Sequence, residues 1–347
     1  MIHPWLQSTW TRLVELGERL PHALLFVGPA GLGKRALAEA LAARLLCDAP
    51  GADGHACGQC EPCLWRLSGN HPDLHRVVPE AETAAAEGEG DGEAPGKAAS
   101  TQIRIDQIRA LQGALAVTGH HGSRRVVLLD PAEAMNGVTA NALLKLLEEP
   151  PEGCIFVLVS SAPRILLPTI RSRCQQWHFS RPDAAALARW GAHAAADARA
   201  LLALGGGMPL AAERLAQGGG AAMHARFVRD IAGLQGADAL RLAGQWEAWL
   251  RSKDALAAGF GLPELTDWMQ RWVSDLAALR LGGRVRFFPA QEGALAALAS
   301  RMSVAAASAC YNEVAQIRKV SRHPLSLRLV LEDMLMRYAR AVAGARG

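Results

Sequence analysis

A short apolar run that ends in a glycine-rich loop limits what the first part of this chain can fold into. Residues 23–27 read ALLFV, and the loop GPAGLGKR follows directly at 28–35. A pattern rich in Ala and Leu at helical spacing then covers residues 34–46. A buried strand, such a loop and a helix in that order form a phosphate-binding loop. We therefore predict a nucleotide site that includes four residues of this loop, Gly28, Gly31, Gly33 and Lys34.

The predicted nucleotide site lacks two groups that ATP hydrolysis requires. The residue after the lysine normally supplies a hydroxyl to Mg²⁺, but here it is Arg35, whose guanidinium has only donors. Residues 126–130 form an apolar strand that ends in Asp130, as expected for the aspartate on the magnesium side. Pro131 follows where a carboxylate is needed to orient the attacking water, and Glu133 lies too far along to replace it. The sequence predicts weak or absent ATP binding and no hydrolysis.

The same alternation of strand and helix patterns continues through the first 180 residues. Strands separated by helices predict an α/β fold with a parallel sheet covered on both faces. The strand candidates are residues 23–27, 74–78, 126–129, 155–159 and 175–179. The helix candidates between them include residues 13–20, 34–46, 105–115 and 141–147.

Strand patterns end near Pro182, and the remainder of the chain is predicted to be helical. Residues 183–204 have the pattern of one helix, which ends at a Gly-rich break over residues 205–209. We predict three domains: an α/β phosphate-loop domain over residues 1–180, a small helical domain over 181–220, and an all-α C-terminal domain over 221–347.

Four of the seven cysteines lie close together in the sequence. Cys47, Cys57, Cys60 and Cys63 form C-x9-C-x2-C-x2-C, which suits four thiolates around one tetrahedral Zn²⁺. Because all four ligands come from the protein, the predicted zinc is structural and has no catalytic role. His55 is an alternative ligand, and redox signalling by the C-x2-C pairs is a weaker alternative.

The segment at 80–100 has a different composition from its surroundings. It holds six acidic residues and one lysine among Ala and Gly, which predicts a flexible insertion. The net charge of the chain is +4, which is compatible with nucleic acid nearby but does not establish it. No apolar run has the ~20 residues that cross a bilayer, and residues 1–10 do not form a secretion signal. We therefore expect a cytoplasmic protein without membrane contact.

Several segments together resemble one known family. They are HALL at 22–25, the cysteine cluster after the loop helix, NALLKLLEEPP at 141–151 and SRC at 172–174. These segments resemble the clamp-loader subunits of bacterial DNA polymerase III, which belong to the AAA+ ATPases. The hydrolysing (tau/gamma) subunits of that family carry Thr or Ser at the place of Arg35, an acid at Pro131 and an arginine just after the Gly-rich break. Here the first arginine after that break is Arg214, so the departures favour a non-hydrolysing subunit.

The resemblance implies a function for the SRC arginine, Arg173. In this family five AAA+-like subunits form a spiral, each ATP lies between two neighbours, and this arginine completes the neighbour's site as a trans arginine finger. Arg171 is the nearest substitute. Glu148 and Glu149 look like a paired acid motif, but adjacent helical residues point apart, so we interpret them as the end of a helix before Pro150.

The resemblance also implies partners and leaves alternatives open. The partners are tau/gamma and delta subunits in a heteropentamer, the sliding clamp and primer-template DNA, and the nucleotidyltransferase activity belongs to the polymerase complex. The small helical domain corresponds to a lid and the C-terminal domain to an oligomerisation collar. DNA phosphates are expected near basic residues such as Arg104, Arg124 and Arg125. The alternatives are an active tau/gamma-type ATPase of the same loader and a zinc-dependent nucleic-acid-binding module.

Overall fold

The structure is a computed structural model that describes residues 2–87, 100–116, 124–234, 238–321 and 326–343. The chain divides into two compact units, Met1–Ala186 and Leu187–Gly347. The first unit holds the β-sheet and the second is helical. The division of the helical part into a lid and a collar stays a prediction. Within the described residues, no helix is long and apolar enough to cross a membrane.

The first unit is built on a five-stranded parallel sheet of order β2-β3-β4-β1-β5. This confirms the predicted α/β fold. Because all strands run in the same direction, the loops after β1, β3 and β4 meet at one edge of the sheet, where ligands bind in open α/β folds. The strands are β1 (Ala23–Val27), β2 (Leu74–Val77), β3 (Arg125–Leu129), β4 (Cys154–Ser160) and β5 (Gln175–His178).

The three central strands are mostly apolar because both of their faces are covered. Every residue of β1, β3 and β4 is buried, as expected for a parallel sheet between helices. The helices of this unit are α1 (Gln7–Leu16), α2 (Lys34–Leu45), α3 (Glu61–Leu67), α4 (Glu80–Glu87), α5 (Ile105–Ala116), α6 (Gly137–Glu148) and α7 (Pro168–Arg173). Helix α8 (Ala184–His193) spans the boundary between the units.

The acidic segment differs from its prediction at its first eight residues. The segment was predicted as a flexible insertion, whereas residues 80–87 form α4, and residues 88–99 lie outside the described residues. Three contacts hold the base of the segment. Ala81 N donates to Ser100 O at 3.1 Å, Arg104 pairs with Glu80 at 3.1 Å, and Arg35 pairs with Glu82 at 2.9 Å. Partners distant in sequence thus stabilise a helix that composition alone did not predict.

The helical unit packs around buried aromatic side chains. Trp246, Trp272 and Phe227 are fully buried, and Trp272 Nε1 donates to Tyr338 Oη at 2.9 Å. The helices are α9 (Ala196–Ala200), α10 (Pro209–Gln217), α11 (Gly220–Ala232), α12 (Ala239–Leu250), α13 (Lys253–Ala257), α14 (Leu262–Arg280), α15 (Glu292–Ala299), α16 (Val304–Val320) and α17 (Leu327–Ala343).

A buried carboxylate fixes the segment that follows α14. Asp275 is 1% exposed and accepts hydrogen bonds from the backbone N–H groups of Arg286, Phe287 and Phe288 at 2.9, 2.8 and 2.9 Å. We expect Asp275→Ala to lower the free energy of unfolding of this unit by about 3 kcal/mol or more, since a hydrogen bond to a charged group contributes roughly 1.5–3 kcal/mol. Urea denaturation followed by tryptophan fluorescence measures the change.

The matched control for this variant is Asp254→Ala on the exposed surface of α13. That substitution should change the unfolding free energy by no more than about 0.5 kcal/mol. Equal urea midpoints for the two variants would contradict the structural role of Asp275.

Candidate nucleotide, metal and arginine sites

The glycine-rich loop connects β1 to α2 and keeps the backbone of a phosphate-binding loop. Gly31 and Gly33 have φ values of 82° and 88°, which L side chains rarely adopt, and Gly33 immediately precedes the first residue of α2. Gly28 is required for a different reason. A Cβ there would lie 2.5 Å from Phe179 O, so the chain after β5 leaves no room for a side chain.

Lys34 is buried and turns its ammonium group into the loop. Its Nζ donates to Gly28 O at 2.7 Å, to Pro29 O at 2.8 Å and to Ser161 Oγ at 3.1 Å. Ser161 follows β4, so the structure brings the ends of two neighbouring strands to one amine. Ser161 was not predicted as a site residue, because a serine after a strand has no distinguishing pattern.

Arg35 lies between two carboxylates at the mouth of the loop. Its Nε is 3.0 Å from Asp130 Oδ2, and its Nη1 is 2.9 Å from Glu82 Oε2. Burial raises the pKa of Asp130, and the Arg35 guanidinium opposes that rise. In a hydrolysing site this aspartate holds Mg²⁺. Here a positively charged side chain of the protein is paired with it.

The other acid of the site also forms contacts within the protein. Glu133 Oε1 accepts a hydrogen bond from Ser161 N at 2.9 Å, while its Oε2 is buried without a hydrogen-bond partner among the described residues. At the N-terminus, Trp5 Nε1 donates to Leu32 O of the loop at 2.9 Å. Neither contact was predicted, because each joins residues 27 or 28 positions apart.

The four clustered cysteines converge in space as predicted. The Sγ atoms of the four cysteines all lie within 4.8 Å of one another, so the group can hold a metal ion. The cysteines are Cys47, Cys57, Cys60 and Cys63. Cys47 follows α2, Cys63 lies in the first turn of α3, and the other two lie in the loop between these helices.

Backbone amide groups favour a thiolate in this cluster. The N–H groups of Gln59 and Cys60 point at the Cys57 sulfur at 3.4 and 3.3 Å, and they lower its pKa to about 6. Burial raises the pKa of Cys63 to about 12. A cation bound to all four sulfurs would displace the protons that remain on such thiols.

The loop that carries the cysteines is fixed against α1. Trp10 Nε1 donates to Asp53 O at 3.2 Å, and the Trp10 ring stacks on His55 with centroids 5.0 Å apart. His55 is therefore engaged with an aromatic ring and is not a member of the cysteine cluster.

Arg173 is the last residue of α7 and is partly exposed. Its guanidinium forms an ion pair with Glu148, and its Nη1 donates to Thr169 O at 3.2 Å. The next residue, Cys174, is buried and anchors the chain. Arg171 is less exposed, and its Nε is buried without a hydrogen-bond partner among the described residues.

The arginines considered for DNA contact have different environments. Arg125 is buried, with Nη1 donating to Leu115 O at 2.7 Å and Nη2 to Glu152 O at 3.0 Å, so its proposed contact with DNA phosphates is wrong. Arg104 is half exposed and pairs with Glu80. Arg124, the residue before β3, is partly exposed.

The parallel sheet, the glycine-rich loop between β1 and α2, and Asp130 after β3 make the first unit a P-loop domain of the AAA+ class. The family model described as DNA polymerase III, delta subunit, matches residues 7–183. A protein of Pseudomonas aeruginosa named DNA polymerase III subunit delta' is 42% identical and covers 81% of this chain and 78% of its own length. The chain therefore belongs to the delta' (delta-prime) subunits of DNA polymerase III.

Two further comparisons extend over nearly the whole chain. A protein of Escherichia coli K12, also named DNA polymerase III subunit delta', is 29% identical over 96% of this chain and 94% of its own length. A crystal structure of a DNA polymerase III gamma subunit-related protein from Thermotoga maritima covers 97% of this chain and 99% of its own, with 20% identity and a TM-score of 0.48.

Proposed function

We propose that this chain is the non-hydrolysing stator subunit of a DNA polymerase III clamp loader and that it supplies Arg173 to the ATP site of a neighbouring subunit. The observation that supports a non-hydrolysing subunit is the 3.0 Å ion pair between Arg35 and Asp130. The subunit holds the assembly together, and the loader places a sliding clamp on primed DNA. Its neighbours are tau/gamma and delta subunits in a heteropentamer.

The loss of hydrolysis follows from the chemistry of the site. Mg²⁺ neutralises charge on the β- and γ-phosphates and needs oxygen ligands. Arg35 provides no lone pair, and its guanidinium already pairs with the carboxylate that would bind the metal. Glu133, the nearest other acid along the chain, bonds Ser161 N. Arg35 and Asp130 are thus paired with each other, and Pro131 provides no carboxylate to orient water, which disfavours the alternative of an active tau/gamma-type ATPase.

The proposed role of Arg173 is supported by its exposure and its chemistry. The side chain is 36% exposed at the end of a helix, so its guanidinium is accessible from outside this chain. A guanidinium meets phosphate oxygens through parallel N–H groups, and arginine fingers in phosphoryl transfer contribute roughly 10³–10⁵ in rate.

We assign the cysteine cluster to a structural Zn²⁺. Tetrahedral zinc has Zn–S bonds of about 2.3 Å, which places sulfurs about 3.8 Å apart. The sulfurs of Cys47 and Cys60 are 3.8 Å apart, and the four lie within 4.8 Å. Four protein ligands leave no open position, so the zinc would stabilise the loop at 47–63 and supply no reaction step.

The direct test is a reconstituted loader in which only this chain can donate a finger. We define the single-finger loader as one whose tau/gamma subunits carry alanine at their own SRC arginines. The rate of DNA-stimulated ATP hydrolysis by this loader then measures the activity of the single ATP site to which Arg173 contributes. Hydrolysis that persists after Arg173→Ala would overturn the finger, and turnover of Mg-ATP by the purified chain would overturn the stator.

Arg35→Thr tests the cause of the inactive site. We expect the purified variant to bind Mg-ATP at least about tenfold more tightly than the wild-type chain, because the hydroxyl returns and Asp130 is released for the metal. It should still not hydrolyse ATP, because Pro131 provides no carboxylate. Titration of a fluorescent ATP analogue with Mg²⁺ or with EDTA measures the affinity.

The control for Arg35→Thr is the double variant that also carries Lys34→Ala. The second substitution removes the amine that reaches the phosphates, so the gain in affinity should vanish. An Arg35→Thr chain that binds no better than wild type, with or without Mg²⁺, would contradict the assigned role of Arg35.

A further inference from the structure

Glu148 lies where a negative charge is electrostatically unfavourable, and its ion pair with Arg173 offsets that charge. It is the last residue of α6, where the helix dipole presents partial negative charge, and Glu149 follows directly. Two adjacent acids at such a helix end oppose the dipole. Glu148 forms an ion pair with Arg173, whereas Glu149 forms none with the described residues.

The ion pair contributes little to stability, because both side chains are solvent-exposed. The side chain of Arg173 is 36% exposed and that of Glu148 is 46% exposed, and exposed pairs contribute little to folding. A role in holding the fold together therefore does not account for the contact. A role in orienting the guanidinium accounts for the contact, because a long flexible side chain otherwise samples many rotamers.

Glu148 is itself held on a rigid part of the fold. Leu147, the preceding residue, is buried, and its carbonyl oxygen lies 3.1 Å from His22 Nε2. The other support of the guanidinium, Thr169 O, belongs to the first turn of α7. Two rigid helix positions thus hold one guanidinium on its own subunit.

These two contacts leave part of the guanidinium available for another ligand. Arginine has five N–H groups, and the described contacts of Arg173 use Nη1 once and Nη2 once. We propose that Glu148 is a positioning residue that holds Arg173 in the orientation in which its remaining N–H groups meet the phosphate of the neighbouring subunit's ATP. This inference rests on the proposed finger role of Arg173.

The test compares four versions of this chain in the single-finger loader: wild type, Glu148→Gln, Glu149→Gln and Arg173→Ala. Glu149→Gln is the matched control, since it removes the same charge one residue away. We expect Glu148→Gln to lower kcat for DNA-stimulated ATP hydrolysis by about tenfold or more, since a misplacement near 1 Å can cost on the order of 10²-fold. KM for ATP should stay within about twofold, because the finger acts on the transition state. Glu149→Gln should behave as wild type.

A fifth version, the double variant Glu148→Gln/Arg173→Ala, separates positioning from a structural role. If Glu148 acts only through Arg173, the double variant hydrolyses ATP no more slowly than Arg173→Ala alone. A further loss in the double variant, or equal kcat values for the two glutamine variants, would overturn the positioning role. If Arg173→Ala lowers kcat while Glu148→Gln does not, the finger stands and only the positioning fails. An unchanged rate for Arg173→Ala overturns both.

Discussion

In the single-finger loader, we expect Arg173→Ala to lower DNA-stimulated ATP hydrolysis by roughly 10³-fold or more. In the proposed function, the variant removes the one cation that this loader supplies from outside to the neighbour's γ-phosphoryl group. Because Arg173 is partly exposed and its ion pair with Glu148 is a surface contact, the fold and the assembly should persist. Phosphate release gives the rate, and size-exclusion chromatography verifies that the loader has assembled.

Arg171→Ala provides the comparison for this variant. Arg171 lies on the same short helix but is less exposed and has no ion pair among the described residues. Hydrolysis by the Arg171 variant should stay within about twofold of wild type. If the Arg171 variant loses activity and the Arg173 variant keeps it, the finger has been assigned to the wrong arginine.

If the cluster holds the proposed zinc, the double variant Cys57→Ser/Cys60→Ser should lose this metal, and the loop at residues 47–63 should unfold. Structural zinc contributes on the order of 10 kcal/mol or more to the folding of small zinc domains. Here the parallel sheet has its own buried core, so the loss should be confined to the loop and to α3. Metal analysis should give one zinc per wild-type chain and none in the variant, and hydrogen exchange should show lost protection at residues 47–67.

Cys310→Ala is the control for the zinc variant. This cysteine is buried in the helical unit, far along the chain from the cluster, and its substitution should leave the zinc content at one per chain. A wild-type chain that carries no zinc after purification without chelators would contradict the assignment. If the cluster variant stays folded but loses DNA binding, the alternative of a zinc-dependent nucleic-acid-binding module is favoured.

The sheet and the two motifs could be predicted because their signals are local. Burial of β1 on both faces produces a continuous apolar run, and the positive φ of Gly33 requires a glycine at that place. The four cysteines converge because they all lie between residues 47 and 63, with Cys60 and Cys63 three positions apart at the start of α3. In each case, residues close in sequence provide the information.

The contacts that define the sites could not be predicted, because each joins residues far apart in sequence. Periodicity indicates which face of a helix is buried but does not identify the partner of an exposed charge. The pairs of Arg35 with Glu82 and of Arg173 with Glu148 are separated by 47 and 25 positions, so no local pattern indicated them.

One helix boundary also depended on a tertiary contact. Residues 183–204 were predicted as a single helix, but the structure has α8 and α9 with a break at residues 194–195. The side chain of Arg199 donates to Gly191 O at 3.1 Å and to Ala194 O at 2.9 Å. These bonds satisfy carbonyl groups at the end of α8. An alanine-rich stretch without Gly or Pro at the break gives no local signal for such an end.

The ion pair of Arg35 with Asp130 has a consequence for the timing of the loader's cycle. In a hydrolysing subunit the divalent cation enters with each nucleotide and leaves after the reaction, so the charge beside the aspartate changes with every turnover. A guanidinium attached to α2 cannot diffuse away. The cation beside Asp130 therefore stays attached to the protein, whatever the cellular ratio of ATP to ADP. We expect this subunit to keep one conformation throughout the cycle, as a fixed reference against which its neighbours move.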